Sequence, residues 1–162
     1  MSETIRVYQV SDEAAVVALS LRAWAPVFAT IEKVIGREIN LRLHGRNWRT
    51  FQEAAVRETL AEDATSVWVA QRDGAVIGFV AANVVDADRR LGEITMLAVD
   101  PDHQQRGTGT QLTEFATEWL RQAGMSVAVI GTGGDPGHAP ARRVYEKADY
   151  TALPAVQYFK AL

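Results

Sequence analysis

Gln104-Gln105-Arg106-Gly107-Thr108-Gly109-Thr110 is the stretch of this 162-residue chain whose composition points most directly to chemistry. Two glycines one residue apart let the backbone turn tightly and come close to a ligand. The segment after it, Thr110 to Ala123, has Leu112, Phe115, Ala116, Trp119 and Leu120 at helical spacing. A helix start there offers unpaired N–H groups and the positive end of a dipole, and Arg106 adds a fixed positive charge. The stretch reads as a cradle for an anion such as phosphate; it also reads as a glycine-rich turn that only starts a helix. It lacks the Gly-Lys-Ser/Thr of a Walker loop and the third glycine of the dinucleotide fingerprint.

Such a loop is useful only where strands hold it, and the flanking sequence supplies them. Leu91 to Val99 reads as a strand stopped by Pro101, and Val127 to Ile130 as a short, continuously apolar strand of the kind covered on both faces. Strand, helix, strand predicts a parallel crossover. Glu93 sits inside the first of these strands, where a charge is uncommon; strict alternation puts Glu93, Thr95, Leu97 and Val99 on one face. Upstream, Ser66 to Gln71 and Ala75 to Val85 are β-branched runs joined through Asp73-Gly74, a strong hairpin signal. Ile5 and Val7, extending to Val10, read as a first strand.

Asp12 to Trp24 reads as a helix whose stripe is Ala15, Val16, Leu19 and Ala23, ended by Pro26, and two or three helices follow before Asp63. Downstream, Gly131 to Gly137 reads as a flexible loop and Pro140 to Ala148 as a helix. Tyr150 to Leu153 and Ala155 to Lys160 read as two closing strands split by Pro154. The fold class is therefore α/β, one domain over residues 1–162, with a mixed and mostly antiparallel sheet flanked by helices.

In order along the chain, the Gln-x-x-Gly-x-Gly loop at Gln104 to Gly109, the strand ending Leu97-Ala98-Val99-Asp100-Pro101 before it, and Arg142-Arg143-Val144-Tyr145-Glu146-Lys147 in the late helix resemble the GCN5-related N-acetyltransferase (GNAT) family. The resemblance covers most of the chain and is strongest from Leu91 to Tyr150. It implies an acetyl-CoA-dependent N-acetyltransferase, with the backbone of Gln105, Arg106, Gly107, Thr108, Gly109 and Thr110 holding the pyrophosphate. It implies that the two parallel strands start paired and then splay, so that backbone at Leu97 and Val99 meets the pantetheine arm, whose amides replace a missing strand.

Acetyl transfer to an alkylamine requires that amine to lose a proton, and the resemblance implies Glu93 as the base, acting directly or through water. The bland reading of Glu93 is a carboxylate paired with Arg89 or Arg90. Tyr145, whose phenol ordinarily titrates near pH 10, is implied as the acid for the departing thiolate; it also reads as part of a buried stripe with Ala141, Val144 and Ala148. His138 stands where the family commonly has an asparagine that bonds the cofactor, and Asp149 where it has a glycine of positive φ. These departures motivate the alternative of a CoA-binding sensor or scaffold without transfer. Arg142 and Arg143 read either as phosphate contacts or as a solvated basic face.

The acceptor expected is a small-molecule or peptide amine. Trp24, Phe28 and Trp48 read as pocket walls or as core. Seventeen basic against twenty acidic residues give a net charge of −3, which argues against a nucleic-acid-binding surface. No cysteine is present, which excludes disulfides, thiolate metal sites and a cysteine nucleophile and suits a reducing cytoplasm. The three histidines are scattered, so no metal is expected. The first residues lack a signal-like apolar middle, and the longest apolar run, Val76 to Val85, is well short of the roughly 18 residues of a membrane span. Pairing through Val156 to Phe159 suggests a homodimer.

Overall fold

The computed structural model of the chain describes residues 3–162. Its elements run β1 (Glu3–Val7), α1 (Glu13–Ile35), α2 (Arg37–His44), α3 (Trp48–Ala61), β2 (Ser66–Arg72), β3 (Ala75–Asp86), β4 (Leu91–Val99), α4 (Thr108–Gln122), β5 (Val127–Ile130) and α5 (Ala139–Lys147). The five strands form one sheet in the order β1-β2-β3-β4-β5. The first three pairings are antiparallel, and β4 with β5 is parallel across the α4 crossover. This is the expected mixed α/β sheet. The β2–β3 turn places Asp73 at φ 50° and Gly74 at φ 83°, the positive pair that a two-residue hairpin of right-handed twist needs.

Each face of the sheet buries its own cluster. Trp68, Val80, Ile94 and Val99 pack under Leu112, Ala116 and Leu120 of α4. Val69, Phe79, Ala81 and Ala98 pack under Val16, Leu19 and Val56 of α1 and α3. Which cluster a β4 residue joins is decided by a bulge: Ala82 pairs with Ile94 and Ala81 with Met96, leaving Thr95 without a partner. The extra residue shifts the alternation by one. Glu93 therefore shares the α1/α3 face with Met96 and Ala98, while Leu97 and Val99 face α4, so the four residues expected on one face are divided.

Four further expectations are corrected. Helix α1 continues through Pro26 to Ile35. A proline inside a helix costs about 3 kcal/mol, which burying Val27 and Phe28, at about 1.5–3 kcal/mol each, offsets. Ala15 is exposed, the buried stripe running instead through Val16, Leu19, Ser20 and Val27. The first strand stops at Val7, because the Asp12 carboxylate accepts the Gln9 N–H at 2.8 Å and turns Val10–Asp12 into a 3-10 turn. Residues 151–162 form no strand and are exposed throughout. A strand exists by its ladder partner, and none of the five strands pairs with this segment. Helix α1 with its lead-in, Val10–Ile35, is long and apolar enough to cross a membrane by length and composition alone, a test that a core helix also passes.

Candidate active site

The glycine-rich loop lies between the end of β4 and the start of α4, as its sequence predicts. Gly107 occupies the position before the helix at φ 91°, and Gln105 is also left-handed at φ 61°. The first main-chain bond of the new helix is Gln111 N–H to Gly107 C=O at 2.9 Å. Among the described residues, none of the N–H groups of Gln105 through Thr110 has a backbone or side-chain acceptor. Six consecutive donors at a helix start are a cradle for a diphosphate-sized anion. Arg106 is exposed beside them. Thr108 is 1% exposed and its hydroxyl donates to Glu3 at 3.0 Å, so this side chain anchors the loop and leaves the N–H outward. Upstream, Arg22 of α1 grips Asp100 and Asp102 at 2.7 and 2.8 Å, and its hydrogen bond holds Asp102 below the usual carboxylate range.

Beyond the loop the sheet is forked. Pairing of β4 with β5 runs from Leu91↔Val127 to Ile94↔Ile130 and ends, while β4 continues to Val99. Asp100 N–H donates back to Ile77 on β3, so by alternation Ala98 turns its backbone to β3 while Leu97 and Val99 turn theirs toward the gap. The side chain of Gln104 donates to the Val99 carbonyl at 3.0 Å, which shows that this carbonyl does point outward from the ladder. Gap and cradle are continuous along β4. From Glu93 to Val99 is six residues, about 20 Å of extended chain.

Glu93 lies one residue before the fork, directly opposite Asn83 on β3 and Val129 on β5. Among the described residues it makes no ion pair; Arg90, one of its two expected partners, instead donates to the Gly124 carbonyl at 2.7 Å. Asn83 Oδ1 is buried without a hydrogen-bond partner. The sequence did not mark Asn83, and only the β3–β4 register reveals it. Glu93 and Asn83 thus place a carboxylate and an orphaned acceptor side by side on the α1/α3 face. Met96, on the same face, borders an open hollow with Ala55, Glu58, Thr59 and Glu62 of α3.

Tyr145 is on α5, which packs on α4 through Val144; a Cβ on Gly109 would sit 3.5 Å from Val144. Burial, with a smaller contribution from Tyr150, pushes the phenol up to about 12. Its hydroxyl makes no hydrogen bond among the described residues, whereas that of Tyr150 pairs with Thr117 at 2.6 Å. Ala141, Val144, Tyr145 and Ala148 are all only half-buried. Asp149 adopts φ 64°, taking the left-handed position in place of glycine.

The loop before α5 is more ordered than its glycines suggest. Asp135 accepts from Gly137 N–H and from His138 Nδ1, and Arg142 donates to the carbonyls of Gly133 and Asp135 at 2.6 and 2.8 Å. Burial alone would raise the Asp135 carboxyl; the bonds from His138 and Gly137 outweigh it and hold the group below its ordinary range. Arg142 is therefore spent on its own loop, and His138 has one ring nitrogen committed to Asp135.

Phe28 is buried and stacks on Trp48 at 4.6 Å, with His44 and Phe51 edge-on around it. Trp24 packs against the α1/α3 core, so these aromatics serve first as packing between α1, α2 and α3. Burial lowers the His44 imidazole. Among the described residues no group of three His, Asp or Glu is placed to hold a metal.

With this geometry in place, comparison with known proteins is informative. Residues 35–150 match the model of the family described as "Acetyltransferase (GNAT) family". A mycothiol acetyltransferase of Sanguibacter keddieii is 39% identical over 93 residues, covering 55% of this chain and 29% of its own length. One from Saccharomonospora viridis is 34% identical over 119 residues, covering 67% of this chain and 38% of its own. The chain thus spans well under half the length of these curated relatives. The crystal structure of a PaiA N-acetyltransferase from Thermoplasma acidophilum, in complex with coenzyme A, superposes with a TM-score of 0.65 at 15% identity, covering 91% of this chain and 89% of the other.

Proposed function

The chain belongs to the acetyltransferase (GNAT) family, and from that premise we propose that it transfers the acetyl group of acetyl-CoA to the primary amine of a small molecule or peptide. The observation that carries this reading is the continuity of six unpaired N–H groups with a forked strand pair. Bound acetyl-CoA supplies an acyl group activated as a thioester. Gln105 to Thr110 would hold its diphosphate, with Arg106 adding charge, and the backbone of Leu97 and Val99 would pair with the amides of its arm. This fixes the thioester near the fork, where proximity replaces a bimolecular encounter.

The acceptor approaches from the face that carries Glu93 and Asn83. Glu93 takes the proton that the amine must lose, directly or through water, as the nitrogen–carbon bond forms, and Asn83 Oδ1 accepts a second N–H to aim the lone pair. Tyr145 remains protonated up to about pH 12, and its hydroxyl donates to the sulfur as the carbon–sulfur bond breaks. His138 keeps one nitrogen for the cofactor.

Release of free thiol from acetyl-CoA, followed over a panel of amines with mass detection of the product, tests the reading. Thiol release with an adduct heavier by one acetyl group is expected for at least one amine. Tight acetyl-CoA binding with no release for any amine would instead favour a CoA-binding scaffold.

A further inference from the structure

We propose that the open edge of β5 is completed by the C-terminal segment Ala155–Leu162 of a second copy of this chain, the two copies exchanging their tails reciprocally. Three observations meet here. First, β5 ends the sheet: it pairs with β4 alone, so one side of its backbone lacks a ladder partner. Sheet edges are ordinarily blunted by charge, and β1, at the opposite edge, carries Glu3 and Arg6. Strand β5 is Val-Ala-Val-Ile, with Val127 55% and Val129 42% exposed.

Second, the tail is apolar and uncovered, with Leu153 95%, Val156 80% and Tyr158 91% exposed. An isolated segment of this composition gains nothing by standing in water. Third, the two surfaces match in period. Val127 and Val129 lie two residues apart on one face of the sheet, and Val156 and Tyr158, also two apart, fall on one face of an extended segment. Pro154 lacks an N–H and biases Leu153 to extended backbone, so the chain leaves its own domain straight. In its own copy the tail ends beside Glu38, Ile39, Arg42 and Leu43 of α2, with none of it paired to β5. Exchange of such an arm between identical chains is a closed, symmetric solution. Because Val129 stands opposite Glu93, the arriving segment borders the acceptor face.

Sedimentation equilibrium of the full chain is expected to give twice its 17.8 kDa, and a chain ending at Tyr150 is expected to give the single mass. As the chain has no cysteine, two tagged, co-expressed variants, one Val129→Cys and one Tyr158→Cys, report the contact directly: mild oxidation should yield a covalent heterodimer. A full chain of single mass, a dimer that survives truncation unchanged, or a double-cysteine chain that closes the bond within one copy would each overturn the proposal.

Discussion

Glu93 makes no ion pair among the described residues, so taking a proton breaks no salt bridge, and its value to the reaction is readable by a near-isosteric change. Glu93→Gln is expected to lower kcat by about 10²–10⁴-fold with little change in the KM for acetyl-CoA; steady-state kinetics check this. For Tyr145 the sign of the shift is what matters. A phenol raised to about 12 keeps its proton throughout the neutral and mildly basic range, so kcat should show no fall up to about pH 10.5. A descending limb near pH 10, where an ordinary phenol ionises, would refute the burial argument. Asn83 presents the opposite balance of function and stability. Replacing a buried, unpartnered acceptor by a group of like shape removes a desolvation cost, so Asn83→Leu should leave unfolding free energy unchanged or raise it by up to about 1 kcal/mol. The same change should raise the acceptor KM about tenfold, read by urea titration beside kinetics. Glu93 and Tyr145 were legible because their types are anomalous where they stand. Asn83, Asp135 and Arg142 were not, since each acts through a partner fixed only by sheet register or loop closure.

At the scale of elements, local signals were sound wherever one chemical cause decides the outcome. Asp73-Gly74 made a hairpin turn, and the amphipathic run after Gly109 made α4. Signals failed where tertiary packing outweighed a local preference, as at Pro26, or where register depends on a neighbouring strand, as at Thr95. That bulge has the larger functional consequence: it separates Glu93 from Leu97 and Val99, turning the carboxylate to the acceptor face. The two loop glycines also prove unequal. Gly107 has open space but φ 91°, while Gly109 is helical, and a Cβ there meets Val144 at an ordinary 3.5 Å. Gly107→Ala should therefore cost about 1–2 kcal/mol and raise the KM for acetyl-CoA. Gly109→Ala should be neutral or stabilising by up to about 1 kcal/mol. Chemical denaturation of the pair decides whether backbone strain or side-chain space governs the loop.

For the whole molecule, sheet order and layering followed from the sequence because each strand carried its own turn signal and each helix its own stripe. The closing strands were misplaced because an apolar alternation announces a strand without saying whose edge receives it. The account of function rests on one spatial relation, a row of unpaired donors running into a gap between two parallel strands, and that relation can be observed without any acceptor. Titrating the ¹⁵N-labelled chain with acetyl-CoA and following the backbone amides reads it directly. The account predicts that the largest shifts fall on Gln105 through Thr110, Leu97 and Val99. Shifts centred elsewhere, or none at saturating acetyl-CoA, would contradict it.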